Sequence, residues 1–345
     1  MRSGDKPLNS QNEILLAVTM GDPAGIGPEI VAKLLCSKLA PGVRVIVIGD
    51  AGLMRRWVNA LDPSKKVVEH RSFDASRIEP DVVNVLLAGP STEGLEVGEI
   101  SAAAGAASMS YNEVAAALAI DGLIDGVLTS PVTKASAKLA GYNFVGQAEF
   151  FADRARVTEF VTVLMYGRFW AALLTTHLSL IDACRAVTKE AVLGKLRFIK
   201  AHEGGLGRHD IRIGVAALNP HGGERGTMGR EEIDAIRPAI EIARDEGINA
   251  EGPFPVNAII APPYDGRGFD LTLALYHDQV VARMNMNETT TLTLGLPFVR
   301  TSVGHGTALD IAGKGIADPG ALALTFTHTV ELARMRRENM RTSDA

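Results

Sequence analysis

Gly304-His305-Gly306-Thr307-Ala308-Leu309-Asp310-Ile311-Ala312-Gly313-Lys314-Gly315-Ile316-Ala317-Asp318-Pro319 packs glycines, small side chains and acids into a loop that enters a helix. Glycines let backbone N–H groups approach a ligand, small side chains leave room for a ring, and Asp310 can accept both hydrogen bonds of a ribose diol. The stretch therefore reads as a nucleotide cradle, although glycine content alone fits an ordinary helix–helix connection equally well. Asp318 and Pro319 form an N-cap and first-turn pair that opens a helix over Pro319–Arg336.

Working outward, strand-like apolar runs alternate with helix-length amphipathic segments. Strands are expected at Leu15–Met20, Val43–Gly49, Val83–Ala88, Gly126–Ser130, Phe160–Met165, Trp170–Thr175, Ile211–Ala217, Leu271–Tyr276 and Thr293–Val299. Helices are expected at Gly27–Leu39, Ala103–Ile120, Lys134–Ala140, Ala148–Arg156, Lys189–His202 and Arg230–Glu246. This alternation makes the chain α/β. No Pro/Gly/Ser-rich linker marks a domain boundary, so the crossing between domains falls inside strands or short loops.

With 345 residues, 46% hydrophobic and 22% charged, the chain has the bulk for two cores. A net charge of -5 and a pI near 5.9 leave no basic stripe for nucleic acid, so a small-molecule partner is expected. Cys36 and Cys184 lack CxxC spacing, which suggests neither a disulfide framework nor a thiolate metal site and suits a reducing cytoplasm. Residues 1–12 read as a flexible polar tail without a signal-peptide core, Arg336–Ala345 as a fraying end, and no apolar run approaches membrane-spanning length.

Three of the eight histidines follow strand-like runs: His177 in Leu174-Thr175-Thr176-His177, His221 in Leu218-Asn219-Pro220-His221-Gly222-Gly223-Glu224, and His277 in Leu275-Tyr276-His277-Asp278-Gln279. Ligands of α/β folds bind at the carboxyl ends of strands, and three imidazoles there suit one divalent cation with positions open for substrate oxygens. Each histidine alone is more simply a surface residue; their shared position reverses that weighting. Thr19-Met20-Gly21-Asp22-Pro23-Ala24-Gly25-Ile26-Gly27-Pro28-Glu29 has a strand–turn–helix context but fails the GxGxxG spacing, and Pro28 removes an N–H. A ligand loop and a tight turn both fit it.

Thr19–Glu29, Thr129-Ser130-Pro131-Val132-Thr133-Lys134, Leu218–Glu224 with Met228-Gly229, Tyr276–Gln279 and Leu294–Ser302 together resemble the 4-hydroxythreonine-4-phosphate dehydrogenase family of pyridoxal phosphate biosynthesis, over about residues 14–335. The C-terminal loop is also similar to the cofactor loop of isopropylmalate dehydrogenases. The resemblance implies an isopropylmalate dehydrogenase-like two-domain α/β fold with a central cleft. A first domain over 13–133 plus 301–338 would carry the cofactor loop, and a second over 134–300 would hold the metal and substrate and dimerise. It implies NAD or NADP held by His305, Gly306, Thr307, Ala308, Asp310, Ile311 and Asp318, and a divalent metal (Zn, Co, Mn or Mg) held by His177, His221 and His277. The implied homodimer shares its active site between subunits. Lys134 and Asp278 are the candidates for proton handling, with Asp278 alternatively orienting an imidazole.

The chain departs from the family at the substrate. Gly146-Gln147-Ala148-Glu149 replaces the family's Gly-His-Thr-Glu, and Asn257 stands where the family has an aspartate able to meet an ammonium. The segment after Gln279, Val280–Thr291, is shortened and has no lysine; Arg283 within it is a possible substitute, Thr291 at its end is a further candidate substrate contact, and Arg300 is retained. These changes predict an NAD(P)-dependent, metal-assisted dehydrogenase of a related hydroxy acid or diol carboxylate, with or without decarboxylation. A genuine 4-hydroxythreonine-4-phosphate dehydrogenase, a phosphotransacetylase-like acyl transferase and a non-catalytic ligand-binding paralogue are the alternatives.

Overall fold

The computed structural model describes residues 13–260 and 268–343. Its strands are β1 (Ile14–Thr19), β2 (Val43–Gly49), β3 (Val67–His70), β4 (Val83–Leu87), β5 (Gly126–Thr129), β6 (Val161–Tyr166), β7 (Phe169–Leu173), β8 (Ile213–Ala216), β9 (Ala250–Phe254), β10 (Leu271–Ala274), β11 (Thr289–Leu294) and β12 (Val299–Val303). The helices are α1 (Gly27–Cys36), α2 (Ala51–Leu61), α3 (Ala102–Ile120), α4 (Lys134–Leu139), α5 (Gln147–Arg154), α6 (Leu180–Arg185), α7 (Lys189–His202), α8 (Arg237–Asp245), α9 (Val256–Ile260), α10 (Asp278–Val281) and α11 (Gly320–Ser343). The protein is α/β, and its contacts divide it into two compact units.

The first unit comprises the chain up to Thr158 and the return segment Leu296–Arg334. Its sheet has the order β3-β4-β2-β1-β5-β12, with every pairing parallel. β1 is buried along its whole length, which explains its unbroken Ile-Leu-Leu-Ala-Val run: a central parallel strand is covered on both faces. Helices α4 and α5 pack on α3 and so belong here. The division therefore falls after residue 158 and not after the expected 133. Gly105 permits the α3–α4 approach, since a Cβ there would lie 1.9 Å from the Ser136 carbonyl oxygen. Arg154 of α5 closes the third side with a two-nitrogen clasp on Glu113 of α3, at 2.7 and 2.6 Å.

The second unit comprises Glu159–Gly295 and the chain from Met335 on. Its sheet order is β11-β6-β7-β10-β8-β9, antiparallel for β11-β6-β7 and parallel for β7-β10-β8-β9. Helices α7 and α8 pack on each other beside it.

Four sequence expectations need correction. Thr293–Val299 is not one strand: β11 ends at Leu294, Gly295 turns through φ 107°, and β12 begins at Val299. The end from Arg336 does not fray within the described residues; α11 runs to Ser343, and Asn339 donates to the Gly204 carbonyl at 3.3 Å. The expected Arg230–Glu246 helix opens with a π-turn at Glu232–Ile236 before α8. Strands β3 and β9 and helices α2, α6, α9 and α10 were not expected. The expected tail, residues 1–12, lies outside the described residues. Among those described, no helix is long and apolar enough to cross a membrane.

Candidate active site

In the first unit, the Gly304–Pro319 stretch has no regular structure between β12 and α11, and it bends through left-handed conformations at Ala308 (φ 43°), Gly313 (77°) and Gly315 (75°). His305 is half-buried with Nδ1 2.9 Å from the Gly306 carbonyl, Thr307 is buried, and Gly306 and Asp310 are exposed. Nothing lies within 4 Å of where a Cβ on Gly306 would sit, so backbone is left open there. Ala308 and Ile311 are half-buried, while Asp318 caps α11 by accepting from Gly320 N–H at 2.8 Å. The expectation of a cap at Asp318 is met in the geometry.

The Thr19–Glu29 motif forms a tight turn. Gly21 is left-handed (φ 76°), and a Cβ on it would lie 2.6 Å from the Pro131 carbonyl oxygen. Asp22, fully buried, accepts from Ala24 N–H at 2.9 Å while its own N–H donates to Pro131 at 2.9 Å. This turn abuts the Thr129–Lys134 segment, whose Thr133 hydroxyl is 3.0 Å from that of Thr307. Lys134 is exposed as the first residue of α4.

Gln147 and Arg300 meet the same segment. Gln147 accepts from the Asn112 amide and donates to the Ser130 carbonyl, both at 3.2 Å, so both ends of its amide are occupied. Ala148 beside it is half-buried and offers no polar atom. Arg300 is only 2% exposed; it donates to the Thr129 hydroxyl at 2.6 Å and lies 5.4 Å from the Phe151 ring centre. Burial pulls its guanidinium down to about 10, opposed by the charge of Glu149, so it stays cationic at neutral pH. In this structure Arg300 supports the end of β5 from beneath.

In the second unit, β7, β10 and β8 are neighbouring parallel strands, and His177, His277 and His221 follow their carboxyl ends. Gln279 ties two of those ends by accepting from Leu275 N–H and donating to the Ala217 carbonyl, each at 2.7 Å. The rings of His177 and His277 have centres 6.4 Å apart. His277 Nδ1 is 2.7 Å from Asp278 Oδ1, which fixes the ring and leaves Nε2 as the nitrogen that could reach a ligand. Two imidazoles on one cation at ~2.1 Å have ring centres roughly 5 Å apart in tetrahedral geometry, so this pair fits a metal after a small inward shift. Among the described residues no three ligating side chains are already gathered, and His221 is not placed with the other two.

His221 instead sits exposed on a turn in which five successive residues are left-handed: His221 (φ 55°), Gly222 (67°), Gly223 (75°), Glu224 (43°) and Arg225 (57°). Three of these carry side chains, for which such backbone is costly and characteristic of functional sites. The turn's base is held by Glu232, 1% exposed, whose Oε1 accepts from Leu218 and Asn219 N–H at 2.8 and 2.7 Å and whose Oε2 accepts from the Asn219 amide at 2.9 Å. Glu232 opens the π-turn, a feature frequent at functional sites. Of the remaining expected substrate contacts, Asn257 on α9 and Arg283 after α10 are exposed, and Thr291 is half-buried within β11. Sequence reasoning missed Glu232, whose partners are local but whose role appears only with the turn.

The family model of pyridoxal phosphate biosynthetic protein PdxA matches residues 42–328. The chain belongs to that family. It is 40% identical over 325 residues to a D-threonate 4-phosphate dehydrogenase of Bordetella bronchiseptica, spanning 92% of each chain. It is also 40% identical over 323 residues to a 4-hydroxythreonine-4-phosphate dehydrogenase of Beijerinckia indica, covering 92% of this chain and 94% of that one. Among solved structures, a 4-hydroxythreonine-4-phosphate dehydrogenase from Klebsiella pneumoniae superposes with a TM-score of 0.83 at 32% identity, over 93% of this chain and 100% of the other. A terephthalate 1,2-cis-dihydrodiol dehydrogenase from Burkholderia xenovorans superposes with a TM-score of 0.64 at 26% identity, over 92% and 98%. The family resemblance read from the motifs is thus borne out, and the two sequence relatives are dehydrogenases named for phosphorylated hydroxy acids.

Proposed function

We propose that the protein is an NAD(P)-dependent, divalent-metal-assisted dehydrogenase that oxidises the secondary alcohol of a 4-phosphorylated hydroxy acid bearing a hydroxyl, not an amino group, beside its carboxylate. The observation that carries the chemistry is the His277–Asp278 pair with His177 beside it. The substrate choice rests on the neutral Asn257 in place of a family aspartate, together with a relative named for D-threonate 4-phosphate. A carboxylate facing an ammonium favours the amino acid; a carboxamide suits a hydroxyl.

When bound, the cation supplies Lewis acidity that lowers the alcohol's pKa and polarises the product carbonyl, and the nicotinamide supplies the hydride acceptor. His177, His277 and, in the assembled enzyme, His221 are its ligands, with Asp278 orienting His277 through Nδ1. Lys134 Nζ takes the hydroxyl proton. Oxidation of the alcohol β to the carboxylate leaves a carbonyl whose oxygen receives the electron pair when the C–CO₂ bond breaks, and the proton held by Lys134 returns to that carbon. Gly306, Ala308, Asp310 and Ile311 cradle the dinucleotide, with Asp310 on a ribose diol. Gln147 shapes the pocket wall from its fixed position, and Arg283 is the exposed cation for an anionic group of the substrate.

The enzyme is proposed to work as a homodimer. Leu178, Leu180 and Ile181, directly after His177, are 52%, 61% and 65% exposed, a cluster suited to burial against a second copy. The deciding experiment is NADH and NADPH formation from D-threonate 4-phosphate and from 4-hydroxythreonine 4-phosphate with Zn, Co, Mn or Mg. The reading expects at least tenfold higher kcat/KM for the hydroxy acid, and a preference for the amino acid overturns it.

A further inference from the structure

The proposed chemistry makes no use of Glu29 and Lys33 of α1, yet both reach the Gly304–Pro319 loop. Glu29 is 0% exposed, and its Oε1 accepts from Ala317 N–H and from Lys33 Nζ, each at 2.7 Å. Lys33 Nζ also donates to the carbonyls of Gly315 at 3.0 Å and Ala317 at 2.7 Å. An ammonium has three protons, and these three acceptors use them all, so Lys33 has none left for a ligand phosphate. At the other end of the loop, Ile26 N–H at the start of the same helix donates to the Thr307 carbonyl at 3.0 Å. Helix α1 therefore grips the loop on both sides of the stretch Ala308–Lys314.

We propose that the Glu29–Lys33 pair is a positioning latch that sets the conformation of this loop and thereby the affinity for a nicotinamide dinucleotide. The proposal rests on reading the loop as the cofactor cradle. Two features favour positioning over simple stabilisation. Glu29 Oε2 is buried with no hydrogen-bond partner, and a largely desolvated ion pair is an inefficient stabiliser compared with apolar packing. The pair also meets the loop where Gly315 is left-handed and Ile316 is exposed, so the small Ala317 side chain is the apolar burial that holds that segment in place.

The test compares the wild-type chain with Lys33→Met, Lys33→Arg and the double variant Glu29→Leu/Lys33→Met. NADH and NADPH dissociation constants are measured by calorimetry, melting temperatures by scanning, and the loop by the rate of tryptic cleavage after Lys314. Lys33→Met should raise the dissociation constant about tenfold, the equivalent of one charge-assisted hydrogen bond, and speed cleavage at Lys314; Lys33→Arg should largely restore both. The double variant replaces the pair with apolar groups, so it should regain the melting temperature but keep the weakened binding. Dinucleotide affinity within twofold of wild type in Lys33→Met, or regained together with melting temperature in the double variant, overturns the latch. A wild-type chain that binds neither dinucleotide overturns the cradle reading itself, and with it the latch's role toward the cofactor.

Discussion

Asp278 illustrates how one side chain separates orientation from proton transfer. Its contact with His277 Nδ1 is the arrangement that fixes an imidazole's tautomer and raises its basicity toward a metal. Asp278→Asn should therefore weaken cobalt or zinc binding by about 10–100-fold, measured by competition with a chelating dye, while leaving dinucleotide affinity unchanged. Lys134→Ala should instead lower kcat by about two orders of magnitude with metal content intact. Equal loss of metal in the two variants would contradict this division of roles. Both residues could be picked from the sequence by type and position. Gln147 could be picked too, but its saturation by Asn112 and Ser130 joins residues 35 and 17 positions apart, which no local pattern reveals.

Among the elements, the left-handed turn at His221–Arg225 and its anchor Glu232 form one device. Glu232→Ala leaves the Leu218 and Asn219 backbone N–H groups without their acceptor and the Asn219 amide with Glu231 alone, a loss of roughly 2–3 kcal/mol that urea unfolding would register. Glu224→Gly and Arg225→Gly remove side chains from unfavourable backbone and should each raise stability by up to about 1 kcal/mol; lower stability in both would mean that the turn is not left-handed in solution. Legibility at this scale followed periodicity. The buried parallel strands and the long helices stood out, and α7 has the expected limits of Lys189–His202. β9 was hidden by Gly252 and Pro253, which a strand reading avoids, and the β11–β12 pair merged because apolar residues continue through the turn at Gly295. α2 was signposted by Asp50, whose side chain accepts from Leu53 N–H at 2.8 Å, and by the buried apolar face of Ala51, Met54 and Val58.

For the whole molecule, the exposed Leu178–Leu180–Ile181 cluster leads to an assembly prediction. Ile181→Glu combined with Leu180→Glu should shift the protein toward monomer in sedimentation velocity and abolish turnover without changing the secondary-structure spectrum. A variant that stays dimeric and active would remove the shared-site reading. The expected boundary after residue 133 differs from the division of contacts after Thr158, because α4 and α5 follow β5 without a linker and only their packing on α3 assigns them. The discontinuity of the first unit also orders events during synthesis. β12 pairs with β5 across a separation that includes Glu159–Gly295, most of the second unit, so the first sheet lacks its last strand, and the Gly304–Pro319 loop, until nearly the whole chain has left the ribosome. The Glu159–Gly295 part of the second unit can be folded while the first unit is still an incomplete sheet with an open edge, so growing chains interrupted before residue 299 are the ones most exposed to strand-edge aggregation.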